Sequence, residues 1–176
     1  ANWLVGVHYN RHQPYTIETC THLPQHTKNR VLFQADVRDP IQVKNMVDQL
    51  INQWEKLDVL IWSIGQTSNN ITKKLTIEQW DNVIQTNLTG LFYCLHALGP
   101  IFETQQTGSI LIVSSLASTQ GTTGQTAYAA SKAGILGMMR SVAQEWGPSN
   151  IRVNAVFPGW HQSPLSGDAF PDPNSC

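Results

Sequence analysis

Five short apolar segments, at residues 3–9, 31–37, 59–64, 110–114 and 151–157, restrict this chain's fold more than any other feature. Each is of strand length and almost continuously apolar, the pattern of parallel strands covered on both faces. The stretches between them have helical periodicity. Residues 40–54 place Ile41, Met46, Val47, Leu50 and Ile51 on one face. The sequence Thr76-Ile77-Glu78-Gln79 is a capping-box signature. It opens a helix carrying Trp80, Val83, Ile84, Leu88, Leu91, Leu95 and Leu98, with residues 100–106 as its expected end. A further helix is predicted from Tyr128 to Trp146, stopped by Gly147-Pro148.

Strands alternating with helices specify an α/β chain built on a doubly wound parallel sheet of Rossmann type, with right-handed crossovers. Residues 16–29 fit least well, because Pro24 interrupts the helix expected between the first two strands. With 176 residues the chain is read as one domain over 1–165, truncated at both ends, followed by a tail over 166–176.

The net charge of -1 and the lack of a basic run argue against nucleic acid or an anionic membrane as partner. No apolar run approaches the roughly 20 residues that span a bilayer. The start has no basic n-region, so the cytoplasm is the expected compartment. Cys20, Cys94 and Cys176 are scattered and odd in number, which gives no disulfide framework. Cys20, His22 and His26 lie close together, but Pro24 disrupts their spacing and no metal site is expected.

In open α/β sheets ligands bind beyond the carboxyl ends of the strands. The residues that follow the five strands are Asn10-Arg11, Asp36, Gly65, Ser114-Ser115 and Pro158-Gly159. Topology alone brings these polar and glycine positions to one edge. Tyr128 and Lys132 are four apart on a predicted helix and therefore share a face. A nearby ammonium favours phenolate and is expected to lower the phenol pKa from about 10. Ser115, at the end of the fourth strand, is placed to hydrogen-bond a substrate oxygen as charge develops on it. Taken alone, the Tyr-Lys spacing is equally that of a surface pair. Its position after a strand ending in Ser-Ser, beyond a loop with Gly121 and Gly124, gives it force.

These residues resemble the short-chain dehydrogenase/reductase family, over residues 3–163. Tyr128-Ala-Ala-Ser-Lys132 is similar to the family's Tyr-x-x-x-Lys, and residues 108–115 to the strand that leads to its active-site Ser. Asn87, in Asn-Leu-Thr-Gly, matches the Asn that anchors a water and a proton relay to the Lys. Asp36-Val37 matches the pair near the adenine, and residues 154–159 the loop flanking the nicotinamide. Ser163 falls where that loop often has Thr. The resemblance implies that Tyr128 is the general acid of carbonyl reduction, that Lys132 holds the ribose hydroxyls, and that Ser115 orients the carbonyl. Asn10, Arg11, Asp36, Val37, Gly65, Pro158, Gly159 and Ser163 would join Tyr128 and Lys132 around the cofactor. Residues 8–11 carry no carboxylate for the ribose hydroxyls of NAD(H), and Arg11 could pair with a 2′-phosphate, so NADP(H) is favoured over NAD(H). Within the family, residues 67–76 and Gly124-Gln125 are similar to the 3-oxoacyl-[acyl-carrier-protein] reductases. This implies a small-molecule or acyl-carrier-bound carbonyl substrate. The stripe of Leu88, Leu91 and Leu95 with Phe92 is read as mostly core; part of it, with Ile135, Met138, Met139 and Val142, resembles the family's two-helix subunit interface. A homo-oligomer, dimer or tetramer, is expected of the full-length parent.

The chain departs from the family in four places. The first strand and its glycine-rich phosphate loop are absent, although the chain holds 12 glycines, and only 17 residues follow Gly159. The family's Asn-Asn-Ala-Gly is here Trp62-Ser63-Ile64-Gly65, and His161 replaces an apolar residue. A fragment of a longer parent is therefore expected. Two readings stand: a carbonyl reductase, or a non-catalytic Rossmann remnant that no longer binds cofactor.

Overall fold

A computed structural model of the chain describes residues 3–11 and 29–159. Ser163, His161, the Cys20, His22 and His26 group, and the tail lie outside the described residues.

All five predicted strands form, as β1 (Leu4–Tyr9), β2 (Asn29–Gln34), β3 (Val59–Trp62), β4 (Gly108–Val113) and β5 (Ile151–Val156). Every pairing is parallel. The hydrogen bonds divide the strands into two ladders, β1-β2 and β3-β4-β5. The α/β class with parallel strands thus holds. Expected coverage on both faces does not hold for β3, where Ile61 is 62% exposed while Trp62 is buried. No element among the described residues covers the face that Ile61 presents.

Helix α1 (Pro40–Trp54) starts where its chemistry dictates. The Asp39 carboxylate accepts from the Ile41 and Gln42 amides, and Pro40 occupies a position that needs no N–H donor. The buried face of α1, Val43 and Val47, packs with α3 (Gly90–Gln105), and Trp54 at its end meets Phe33 of β2 edge-on, with ring centroids 5.7 Å apart. The second predicted helix also begins at its capping box. Thr76 accepts from the Gln79 amide, and the Gln79 side chain accepts from the Thr76 amide. It does not run regularly. Helix α2 (Ile77–Ile84) passes into a π-helical turn, Gln85–Thr89, before α3 begins.

Helix α3 runs through Pro100 and stops at Gln106 in the left-handed conformation, within the stretch 100–106 where its end was expected. The Pro100 side chain faces solvent, so the proline removes one backbone donor without disturbing the packed face. A short α4 (Ala117–Gln120) precedes α5 (Thr126–Trp146), which packs on β5 and α2.

The core gathers Leu91, Leu95, Leu98 and Phe102 from α3, Ile110 and Ile112 from β4, Ile135 from α5, and Ile151 from β5. The stripe is mostly internal, as expected, since Leu91, Leu95, Ile135 and Val142 are buried, while Phe92 is half exposed. No helix among the described residues is long and apolar enough to cross a membrane.

Candidate active site

The predicted catalytic residues come from three elements. Ser115 follows β4, Asn87 lies in the π turn, and Tyr128 and Lys132 lie in the first turns of α5. The strand-to-helix connection positions Ser115 by backbone contacts. The Ser114 amide donates to Val156 O at 2.9 Å, and the Leu116 amide to Pro158 O at 3.3 Å. Ser115 Oγ accepts from the Ala117 amide at 3.2 Å and is hydrogen-bonded with the Tyr128 phenol.

Lys132 is buried, and its Nζ donates to Val113 O at 2.9 Å while lying over the Tyr128 ring, 5.7 Å from the centroid. Burial draws this ammonium down from its usual 10.5 to about 8. Burial also pushes the Tyr128 phenol above its ordinary range, and the Ser115 hydroxyl only partly opposes it. This is opposite to the lowering expected from the Tyr-Lys spacing. Desolvation of the phenolate outweighs the field of an ammonium set over the ring.

Asn87 is wholly buried. Its Oδ1 accepts from the Gln66 amide at 2.8 Å, and its Nδ2 donates to Gln66 O and to Ser131 Oγ, each at 2.9 Å. Ser131 Oγ, also wholly buried, donates to Tyr128 O at 2.7 Å. The π turn explains this placement. One extra residue per turn swings Asn87 inward, as such turns often do at functional sites.

Gly65 joins the two arrangements. A Cβ built there would lie 3.4 Å from Lys132 Nζ and 3.8 Å from Asn87 Oδ1. The space in front of the ammonium is therefore open because residue 65 has no side chain.

The positions read as cofactor contacts divide into two groups. Around Gly65, Tyr128 and Lys132 the site fits a nicotinamide ribose. An ammonium has three donors, and Val113 O takes one. Pro158 and Gly159 lie beside Leu116, whose Cδ1 would be 3.6 Å from a Cβ at 159. At the other end Arg11 is exposed, and Asn10 O accepts from Gln34 Nε2 at 3.0 Å. The Val37 side chain is buried in the core against Gly90. Asp36 is gripped by Arg38, whose guanidinium Nη2 lies 2.6 Å from Oδ2. Arg38 Nη1 reaches Asn82 Oδ1 at 3.3 Å, and Gln66 Nε2 donates to Asn82 O at 2.5 Å. Asn82, Gln66 and Ser131 went unseen in the sequence, because the partners they meet at the site are 16 to 44 positions away, and Arg38 went unseen although its fork closes on Asp36 two positions away. No motif spacing marks such pairs.

Trp62, in place of the family's Asn, is accommodated by burial in the core, where its Nε1 has no hydrogen-bond partner. Among the described residues no group of three or more His, Cys, Asp or Glu side chains could hold a metal ion.

The family model described as "Enoyl-(Acyl carrier protein) reductase" matches residues 4–175. The chain is 39% identical over 140 residues to the 3-oxoacyl-[acyl-carrier-protein] reductase FabG of Staphylococcus aureus (strain N315), covering 80% of this chain and 56% of that protein. It is 40% identical over 134 residues to the FabG of Thermotoga maritima, covering 76% and 54%. It therefore spans about half the length of the curated relatives it matches. Among solved structures, a putative short-chain alcohol dehydrogenase from Sinorhizobium meliloti 1021 superposes with a TM-score of 0.88 at 30% identity, over 96% of this chain and 67% of the other. A putative short-chain dehydrogenase/reductase from Burkholderia xenovorans gives 0.79 at 29% identity, over 86% and 57%. Family match, relatives and geometry agree: the chain belongs to the short-chain dehydrogenase/reductase family.

Proposed function

We propose that the chain carries the catalytic centre of an NADP(H)-dependent carbonyl reductase whose substrate is a 3-oxoacyl thioester, presented on an acyl carrier. The supporting observation is the convergence of Ser115, Tyr128 and Lys132 on the open space before Gly65. The relatives' names supply the acyl class.

The residues have distinct tasks. The Ser115 hydroxyl donates to the substrate carbonyl oxygen and holds it beside the phenol. The Tyr128 phenol delivers a proton to that oxygen as charge builds there. The phenol carries its proton at neutral pH and so can donate it, although the burial that raises its pKa makes it a weaker acid. Lys132 uses its remaining donors on ribose hydroxyls. Asn87 and Ser131 fix the turn of α5 that carries Tyr128. A nicotinamide held beside these residues would supply the hydride, and that chemistry is its own. Preference for the 2′-phosphate falls to Arg11, since residues 8–11 hold no carboxylate. Assembly into a homo-oligomer is carried over from the resemblance, with half-exposed Phe92 as the contact left on the α3 surface.

The test is fluorescence titration of the full chain with NADPH and NADH, followed by turnover of 3-oxoacyl and 2-enoyl thioesters. Tighter NADPH binding and 3-oxoacyl reduction that Tyr128→Phe abolishes support the reading. Turnover by Tyr128→Phe within a few-fold of the parent sinks the mechanism. Absence of binding to either nucleotide favours the non-catalytic remnant.

A further inference from the structure

Gln66 grips the π turn at its entry and in its middle. Its side-chain Nε2 donates to Asn82 O, in the last turn of α2, at 2.5 Å. Its main chain takes the Asn87 side chain inside the turn. The Gln66 amide donates to Asn87 Oδ1 at 2.8 Å, and Gln66 O accepts from Asn87 Nδ2 at 2.9 Å. We propose that Gln66 is a positioning residue for the catalytic centre, its side-chain amide holding the π turn open so that Asn87 and the Tyr128 turn stay in register. This role rests on the reading of Tyr128 as the proton donor.

A π turn is a rare winding, inserted singly into ordinary helix. Its long-range bond is made here by the Gly90 amide on Gln85 O. Loss of one residue from the turn would rotate Asn87 by about 100°. Contacts from outside the helix must therefore favour the wide form. Where the winding changes, the Gln85 amide is divided between Asp81 O and Asn82 O. Asn82 O thus keeps an accepting position for an outside donor, and Gln66 Nε2 is that donor. The Asn82 side chain is held as well, by Arg38 Nη1 at 3.3 Å. The entry of the turn is pinned between the segments that follow β2 and β3.

Asn87 has no hydrogen left to give elsewhere. It is wholly buried, its second amide hydrogen goes to Ser131 Oγ, and that hydroxyl donates to Tyr128 O. A shift of Asn82 against Gln66 would pass along these bonds to the turn that carries Tyr128. Gln66 acts through these partners, and the side-chain bond to Asn82 is the link that a substitution can cut without touching Asn87.

The experiment substitutes Gln66→Met in the full chain, which keeps the length of the side chain and removes its donor. Without nucleotide, the Gly90 amide should exchange its hydrogen about tenfold faster, with the Ile112 amide in β4 unchanged. Equal Gly90 exchange in the two proteins overturns the proposal, and so does equal acceleration of both amides, the mark of general loosening. With NADPH and a 3-oxoacyl thioester, kcat should fall about tenfold while KM for NADPH stays within about threefold. An unchanged kcat overturns the proposal whatever KM does, because Gln66 would then not serve the catalytic turn. Should the variant fail to fold, the unsubstituted chain decides. Its Gln66 side-chain amide should exchange at least about tenfold more slowly than that of exposed Gln53, and equal rates overturn the grip. Should the unsubstituted chain show no turnover, the function proposed above fails, while the exchange of Gly90 still decides whether Gln66 holds the turn.

Discussion

Asn87 gives one amide hydrogen to Ser131 Oγ at 2.9 Å, and that buried hydroxyl gives its own hydrogen to the main-chain carbonyl of Tyr128 at 2.7 Å. The π turn and the catalytic turn of α5 are thereby held by a single oxygen atom.

Removing that oxygen should be felt at a distance. Ser131→Ala leaves a buried Asn87 N–H unpaired, at a cost of about 1–3 kcal/mol. The Gln66 amide, which donates to Asn87 Oδ1, should then exchange its hydrogen about tenfold faster, with the Ile112 amide in β4 unchanged. Amide exchange followed by NMR reads both. On an Asn87→Ala background the same change should add little, because the two residues act as one unit.

Lys132 predicts a specific dependence on alkali. Its ammonium is paired only with neutral groups in the described surroundings, and its pKa falls from 10.5 to about 8 on folding. Between those values the unfolded chain binds more protons than the folded one, so this group makes stability rise with pH from about 8 to about 10.5. Below about 8 the buried charge is a constant destabilising contribution. Lys132→Met should raise Tm at pH 7, and the difference between the two proteins should vanish toward pH 10.5. Thermal melts across that range, taken as differences, check the sign.

Asp36 works in the opposite sense. The Arg38 guanidinium holds its carboxyl down to about 2, against an ordinary 3.8. A depressed carboxyl contributes stability above about 3.8 and loses it as pH falls toward 2. Arg38→Met should be less stable than the parent at pH 6 and indistinguishable from it near pH 2. The effect is modest, because the pair is partly open to solvent. Acid titration followed by circular dichroism would show it.

Gly65→Ala separates folding from binding. The added methyl would sit 3.4 Å from Lys132 Nζ, an ordinary contact that the core tolerates. Tm should change by less than about 2 °C, while the methyl fills the opening before the ammonium and weakens NADPH binding at least about tenfold. Calorimetry and fluorescence titration on the same sample distinguish the two effects.

Much of this was legible in the sequence because it is local. The capping box at Thr76, the Asp39-Pro40 helix start and the one-turn spacing of Tyr128 and Lys132 are set within four residues. What escaped depends on surroundings. The direction of the Tyr128 shift is decided by burial, which spacing does not reveal. Arg38 was not singled out, although its fork closes on Asp36 only two positions away. Where within residues 100–106 α3 ends, beyond Pro100 rather than at it, follows from which way that ring faces, a matter of tertiary packing. Division of the strands into two ladders is likewise invisible to patterns read one strand at a time.

The π turn at Gln85–Thr89 carries a lesson about mutational tolerance. What turns Asn87 inward is the number of residues in that turn, not their identity. A scan that swaps side chains one by one across the segment would find Asn87 and pass over the rest as permissive. Deleting a single neighbour would keep nearly the whole composition, restore regular winding, and rotate Asn87 away from Gln66 and Ser131. The segment is therefore tolerant of spelling and intolerant of length, and natural variation in it should show exchanges without gaps.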